Sequence, residues 1–153
     1  MKLPPRVTLV EVGPRDGLQD LSSPPPTAHK IAFIDRLSEA GVPVVEVGAF
    51  VHPRRVPAMA DSEAVARGIT RRPGTRYTAL VPTLRGLARA MGAGLREVSV
   101  FGAASEAFSL QNINQGIAEA FARFSGVIRE AGAAGVRVRG YLSTAFGCPY
   151  EGD

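Results

Sequence analysis

The sequence predicts an α/β domain built on a parallel sheet. Three observations carry this. Short apolar, β-branched runs alternate with amphipathic stretches in strict strand–helix order along all 153 residues. The connections between them are short, which favours parallel strands joined by right-handed crossovers. The only internal repeat is the strand–helix unit itself, roughly 30 residues long. About five parallel strands and four helices fit the chain. An eight-stranded barrel needs about 250 residues, so this is either an open doubly wound sheet or a little over half of a (β/α)8 TIM barrel. Periodicity alone does not separate the two.

The strands are expected at residues 7–12, 42–47, 77–81, 97–101 and 136–141, each rich in Val or aromatic residues and bounded by Gly, Pro or polar residues. Thr27 can N-cap a first helix carrying Ile31, Ile34 and Leu37 on one face and closed by Gly41. Asp61 can cap a second helix over 62–69. Thr83 can cap a third over 84–91, ended by Gly92 and Gly94. Asn114 can start a longer fourth helix with Ile117, Phe121, Phe124 and Ile128 in register, ended by Gly132 or Gly135. The longest break, 20–26, contains three consecutive prolines and reads as a stiff surface loop, not a domain boundary.

Composition bounds the class. Hydrophobic residues at 45% and charged residues at 21% mark an ordinary globular domain with enough length for a sizeable core. No apolar run reaches about 18 residues, so no membrane span is expected. The N-terminal residues lack a signal-peptide core, and a single cysteine excludes an internal disulfide framework; both fit a cytoplasmic protein. The net charge of +4 comes almost entirely from arginine. These arginines are dispersed (Arg54, Arg55, Arg71, Arg72, Arg137, Arg139) and are not interleaved with stacking aromatics, so no nucleic-acid partner is expected. A basic surface suits a phosphorylated, anionic small molecule.

The chemistry concentrates in residues 8–19, Thr-Leu-Val-Glu-Val-Gly-Pro-Arg-Asp-Gly-Leu-Gln. A buried strand stops at Gly13-Pro14, and Arg15 and Asp16 follow where strand gives way to loop. In barrel enzymes that end of a strand carries the catalytic groups. An aspartate there can hold a hard divalent cation, and an adjacent arginine can steady a developing oxyanion; the same two residues can equally close a loop as a surface ion pair.

Val12-Gly13-Pro14-Arg15-Asp16-Gly17-Leu18-Gln19 resembles the opening signature of the hydroxymethylglutaryl-CoA lyases. These belong to the metal-dependent aldolase-type barrels that also include isopropylmalate and homocitrate synthases. Glu46, Phe101-Gly102-Ala103-Ala104-Ser105-Glu106, Asn112-Ile113-Asn114 and Gly147-Cys148-Pro149-Tyr150-Glu151-Gly152 extend the likeness in family order. It covers essentially the whole chain but about half of the family's domain, so residues 1–153 resemble the N-terminal portion, strands 1 to 5, of a TIM-barrel lyase. Gly13-Pro14 before the Arg-Asp-Gly core argues against the synthases.

The resemblance implies an enzyme of leucine degradation or ketone-body metabolism. It would split 3-hydroxy-3-methylglutaryl-CoA into acetoacetate and acetyl-CoA by a retro-Claisen reaction assisted by a divalent metal, Mg²⁺ or Mn²⁺. By position, Asp16 is then the first metal ligand and Arg15 the residue that stabilises the enolate oxygen and touches substrate. Glu46 orients Arg15 or a metal-bound water. Gln19, Asn112 and Tyr141 line the substrate cavity. Arg139, inside the fifth strand, is expected as a structural organiser near Glu46 or Asp16.

The departures from the family pattern bear on competence. The family completes its metal site with a His-x-His pair, a later asparagine and a loop cysteine, none of which occurs in this sequence. The histidines here are His29, on the first helix, and His52, in a loop on the catalytic side where the family commonly has serine. Ala49 also stands where serine is usual, and Cys148 followed by proline reads as a packed loop residue. The isolated chain is therefore expected to be inactive. Its strands nearest the open edge, with Val98, Val100, Val136 and Val138, are expected to expose apolar surface, so that it self-associates or takes a complementary C-terminal half. The rival from another class is a non-catalytic half-barrel that binds a partner or a CoA ester.

Overall fold

The computed structural model describes residues 3–152. Its five strands lie side by side in sequence order, every neighbouring pair parallel: β1 (Val10–Glu11), β2 (Val44–Ala49), β3 (Arg76–Leu80), β4 (Glu97–Ala103) and β5 (Arg137–Ser143). Five helices connect them: α1 (Thr27–Glu39), α2 (Ser62–Gly68), α3 (Leu84–Gly92), α4 (Glu106–Ile113) and α5 (Ile117–Ala133). Strand order that follows chain order, with no switch point, is barrel topology and not a doubly wound sheet.

Alternation along each strand divides the residues between two environments. Val45, Val47, Tyr77, Ala79, Val81, Val98, Val100 and Val136 face the helices. They pack with Ile34, Val65, Leu87, Phe124 and Val127 into one buried core. The intervening positions, Glu46, Thr78 and Ser99, are fully buried yet polar, and they belong to the concave face. The expectation that Val98, Val100, Val136 and Val138 expose apolar surface is thus corrected. The first three are buried under α5 and its neighbours, Val138 packs against the same core, and the concave face is polar and charged. Apolar exposure near the open edge comes instead from Leu142 and Phe146.

Several boundaries differ from the sequence expectation for local reasons. β1 is only two residues, with Val7 and Leu9 exposed, because its ladder has a partner on the β2 side only. Thr27 lies inside the first turn of α1, after Pro26, and donates its hydroxyl to Asp61 Oδ2 at 2.7 Å instead of capping. Asp61 precedes α2 but caps nothing with its side chain; its other oxygen holds the Lys30 ammonium at 2.7 Å. Thr83 does cap α3, accepting from Gly86 N at 3.1 Å. Asn114 ends α4, a helix not anticipated, in a left-handed conformation (φ 52°) instead of starting α5. α5 begins at Ile117, whose N–H is taken by Glu106 Oε2 at 2.9 Å, so the cap comes from the preceding helix.

At the base of the concave face, Glu97 accepts from Arg76 Nη1 and Arg137 Nη2, each at 3.0 Å, and stitches the starts of β3, β4 and β5 together. Arg139 lines the same 310 Å³ hollow with these residues. It forms no ion pair with Glu46 or Asp16 among the described residues, so its expected role as their organiser is not what the fold shows. Its charge still reaches Tyr141, two residues further along β5.

Candidate active site

The site begins where β1 stops. Val12 O accepts from both Arg15 N (3.0 Å) and Asp16 N (2.7 Å), winding Gly13–Gly17 into one wide helical turn. Glu11 reaches forward to take the Gly13 N–H at 2.6 Å. A Cβ at residue 13 would stand 2.8 Å from that carboxylate oxygen, so a side chain there would displace the Glu11 carboxylate from the Gly13 N–H. Pro14 is buried and anchors the turn on the sheet. The winding sends the two neighbouring charges apart. The Arg15 side chain points inward and is 11% exposed, while Asp16 stays at the rim, 61% exposed.

Arg15 is held as a fork. Nη1 donates to Asp16 Oδ1 at 2.5 Å and Nη2 to Glu46 Oε2 at 3.3 Å, while Nε is buried with no partner among the described residues. Glu46 lies within β2, in register with Thr78. Both of its oxygens accept: Ser99 Oγ donates to Oε1 at 2.5 Å, and the Tyr141 hydroxyl donates to Oε2 at 3.3 Å beside Arg15. Just beyond Glu46 the β2–β3 register slips, a bulge that breaks the ladder next to the site. Ser62 from α2 repairs it, accepting from Ala49 N at 3.1 Å and donating to Met59 O at 2.8 Å. Ala49 itself is buried in a small apolar cluster with Ala58 and Met59 under the following loop.

Burial, and then the negative charge of Glu46, push the Tyr141 phenol up to about 12. The sign follows: the fold favours the neutral phenol, so this contribution is whole below the ordinary value of about 10 and is lost as pH rises toward 12. Titrating tyrosinate absorbance is expected to show one of the three tyrosines ionising near 12. Tyr141→Phe should remove that step and Glu46→Gln should move it down. The absence of any phenol titrating above about 10 would overturn the contact.

Of the residues expected to meet here, Arg15, Asp16, Glu46 and Tyr141 form one connected group. Gln19 follows the wide turn, half-buried, with no hydrogen bond to that group; Asn112 is exposed on α4 and makes none either. His29 is exposed on α1, and His52 Nδ1 accepts from Arg54 N at 3.2 Å within its own exposed loop. Cys148 sits in a tight loop closed by paired backbone hydrogen bonds to Gly152, at 2.8 and 2.9 Å. Burial pushes its thiol up, but hydrogen bonds from Ser105 and from the Tyr150 and Glu151 backbone outweigh that and hold it below its ordinary value. Sequence reasoning missed Ser99. Its signal was a polar residue on the same parity as Glu97 inside an apolar run.

The donor set bears on a divalent cation. Among the described residues no group of three or more His, Cys, Asp or Glu could hold a metal. Asp16 offers one carboxylate with its second oxygen turned to solvent, so the chain fits one corner of an oxygen-rich shell and not the shell itself.

Together, the parallel strand order and the arginine held by two carboxylates at the open face define a partial α/β barrel of the TIM type. The HMGL-like family model matches residues 6–153, and the chain belongs to that family. It is 55% identical over 150 residues to the mitochondrial hydroxymethylglutaryl-CoA lyase of Rattus norvegicus, covering 98% of this chain and 46% of the relative. The crystal structure of the Pseudomonas aeruginosa hydroxymethylglutaryl-CoA lyase superposes with a TM-score of 0.94 at 53% identity, over 100% of this chain and 51% of that one. An Acinetobacter baumannii HMG-CoA lyase, solved with coenzyme A and 3-methylmalate, matches with a TM-score of 0.89 at 37% identity, over 95% and 48%. The chain spans about half the length of these relatives. No helix among the described residues is long and apolar enough to cross a membrane.

Proposed function

We propose that this chain forms the N-terminal portion of a hydroxymethylglutaryl-CoA lyase barrel and supplies its enolate-stabilising group. The observation that carries the reading is the Arg15 fork, held between Asp16 and Glu46 at the open face. In retro-Claisen cleavage the tertiary hydroxyl loses its proton and the bond between C2 and C3 breaks. Its electron pair moves into the thioester carbonyl, leaving an acetyl-CoA enolate to be protonated and acetoacetate to depart. A planar guanidinium aimed at that oxygen stabilises the charge as it develops. Glu46, with both oxygens occupied, positions Arg15 and is not assigned to proton removal. Asp16 would contribute one ligand to a divalent cation such as Mg²⁺ or Mn²⁺, which would lower the pKa of the substrate hydroxyl. A complementary half of the barrel would have to supply the remaining ligands. Gln19, just after the turn that carries Arg15, and Asn112, exposed on α4, are retained as candidate substrate contacts.

The partner class is an acyl-CoA, supported by the coenzyme A bound to the A. baumannii relative. A complementary C-terminal half or a second copy would cover β5, which pairs with β4 alone and leaves Leu142 exposed. The test uses the purified chain with Mg²⁺, alone and joined to the C-terminal portion of the P. aeruginosa lyase. Alone it is expected to release no acetoacetate and to self-associate in sedimentation. Joined, it should turn over. Turnover by the lone chain at ordinary enzyme rates, roughly 1–10³ s⁻¹, overturns the incompleteness. A joined barrel that binds the CoA ester but never cleaves it overturns the lyase assignment in favour of a binding half-barrel.

A further inference from the structure

Three fully buried polar side chains cross the concave face on adjacent strands, Glu46 on β2, Thr78 on β3 and Ser99 on β4. They are not equivalent. Thr78 stands directly opposite Glu46 in the ladder, yet its hydroxyl has no partner among the described residues. Ser99, one strand further away, donates to Glu46 Oε1 at 2.5 Å, well inside the 3.3 Å contacts that Arg15 and Tyr141 make with Oε2.

We propose that Ser99 is a positioning residue for the lyase reaction, setting the plane of the Glu46 carboxylate and through it the aim of Arg15; this rests on Arg15 being the enolate-stabilising group. The terminal torsion of a glutamate is broad and nearly two-fold, so packing alone does not fix it. A hydroxyl bound to one oxygen does, and it thereby fixes where the other oxygen lies. Oε2 is the atom on which Arg15 Nη2 and Tyr141 converge. Arg15 is held only at its two Nη ends, Nε having no partner, so a displaced Oε2 lets the guanidinium pivot about Asp16. Ser99 touches no reacting atom. Its loss therefore misaligns a transition-state donor without removing a substrate contact, and the effect falls on kcat and not on KM.

In the joined barrel, Ser99→Ala is expected to lower kcat about 10²-fold, the cost of a misplaced catalytic group, with KM held within about twofold. Ser99→Thr, which keeps the hydroxyl, should restore most of the rate. Thr78→Val removes an equally buried hydroxyl that holds nothing, and should leave both constants unchanged. Should Ser99→Ala not fold, Ser99→Cys, a near-isostere with a weak donor, should show the same split at smaller size. A crystal structure of the Ser99 variant of this chain gives a readout that needs no turnover: Arg15 should leave Glu46, and in Thr78→Val it should stay. An unmoved Arg15, an unchanged kcat, or a Thr78→Val loss equal to that of Ser99→Ala overturns the proposal. A wild-type joined barrel without activity instead overturns the lyase reading, and the Arg15 displacement still decides the role of Ser99.

Discussion

Arg15→Lys in the joined barrel is expected to lower kcat by about 10²–10³-fold, the typical loss of one oxyanion donor, while KM changes little. Lysine keeps the positive charge, so long-range attraction for an anionic CoA ester survives. What it loses is the fork. Arg15 uses two nitrogens to bind Asp16 and Glu46 at once, which fixes the plane of its guanidinium. A single ammonium at the end of a flexible stem can satisfy one carboxylate well or two poorly, and it presents no fixed plane to an enolate oxygen. The loss should appear only as charge builds on that oxygen, which is why kcat and kcat/KM should fall together. Steady-state kinetics of acetoacetate release decide it. A lysine variant with near-normal turnover would reduce Arg15 to a structural ion pair between the turn after β1 and β2.

How much of this was legible in the chain follows from the range of the interactions. The strand–helix order depends on local periodicity, and the core residues Val45, Val47, Val98 and Val100 fall where alternation puts them. The Arg15–Asp16 turn was legible because Gly13-Pro14 ends a strand locally. The partners of Arg15 were less so. Glu46 is 31 residues away and Tyr141 lies 95 residues beyond Glu46. Nothing local in Val98-Ser99-Val100 says that Ser99 would bridge past β3 to reach Glu46. The helix ends failed for a related reason. Thr27 and Asp61 have the composition of caps, but they bind each other across 34 residues, and Lys30 on α1 takes the other Asp61 oxygen. Asn114 was placed at the wrong end of a helix because asparagine serves equally at an N-cap and in a left-handed C-terminal position. Arg139 was drawn toward Glu46 by the need of an inward arginine for a carboxylate. The fold places it instead by Glu97, which is already shared by Arg76 and Arg137.

Asp61→Ala should cost about 3 kcal/mol of folding stability, near the lower end for breaking a buried ion pair because Asp61 itself is partly exposed. Lys30 is buried on α1, with its ammonium bound to Ala58 O at 2.6 Å and Asp61 Oδ1 at 2.7 Å; Asp61 Oδ2 takes the Thr27 hydroxyl. Removing the carboxylate strands a charge in the interior with one carbonyl for company. In a domain of this size, marginal by about 5–15 kcal/mol, that should lower Tm by roughly 6–12 °C. Lys30→Met removes the charge along with its partner's purpose, leaves Asp61 free to hydrate, and should cost less, about 1–3 kcal/mol for the unsatisfied Ala58 carbonyl. The double variant Lys30→Met/Asp61→Ala should then be more stable than Asp61→Ala alone, a coupling sign that additive losses cannot produce. The damage should also reach the site. Asp61 directly precedes Ser62, whose hydroxyl holds Ala49 N at the β2 bulge three residues beyond Glu46. Denaturant unfolding of the three variants provides the measurement. An Asp61→Ala loss below about 1 kcal/mol, the range of an exposed pair, would show that water reaches the Lys30 ammonium and that the pair does not brace the open face.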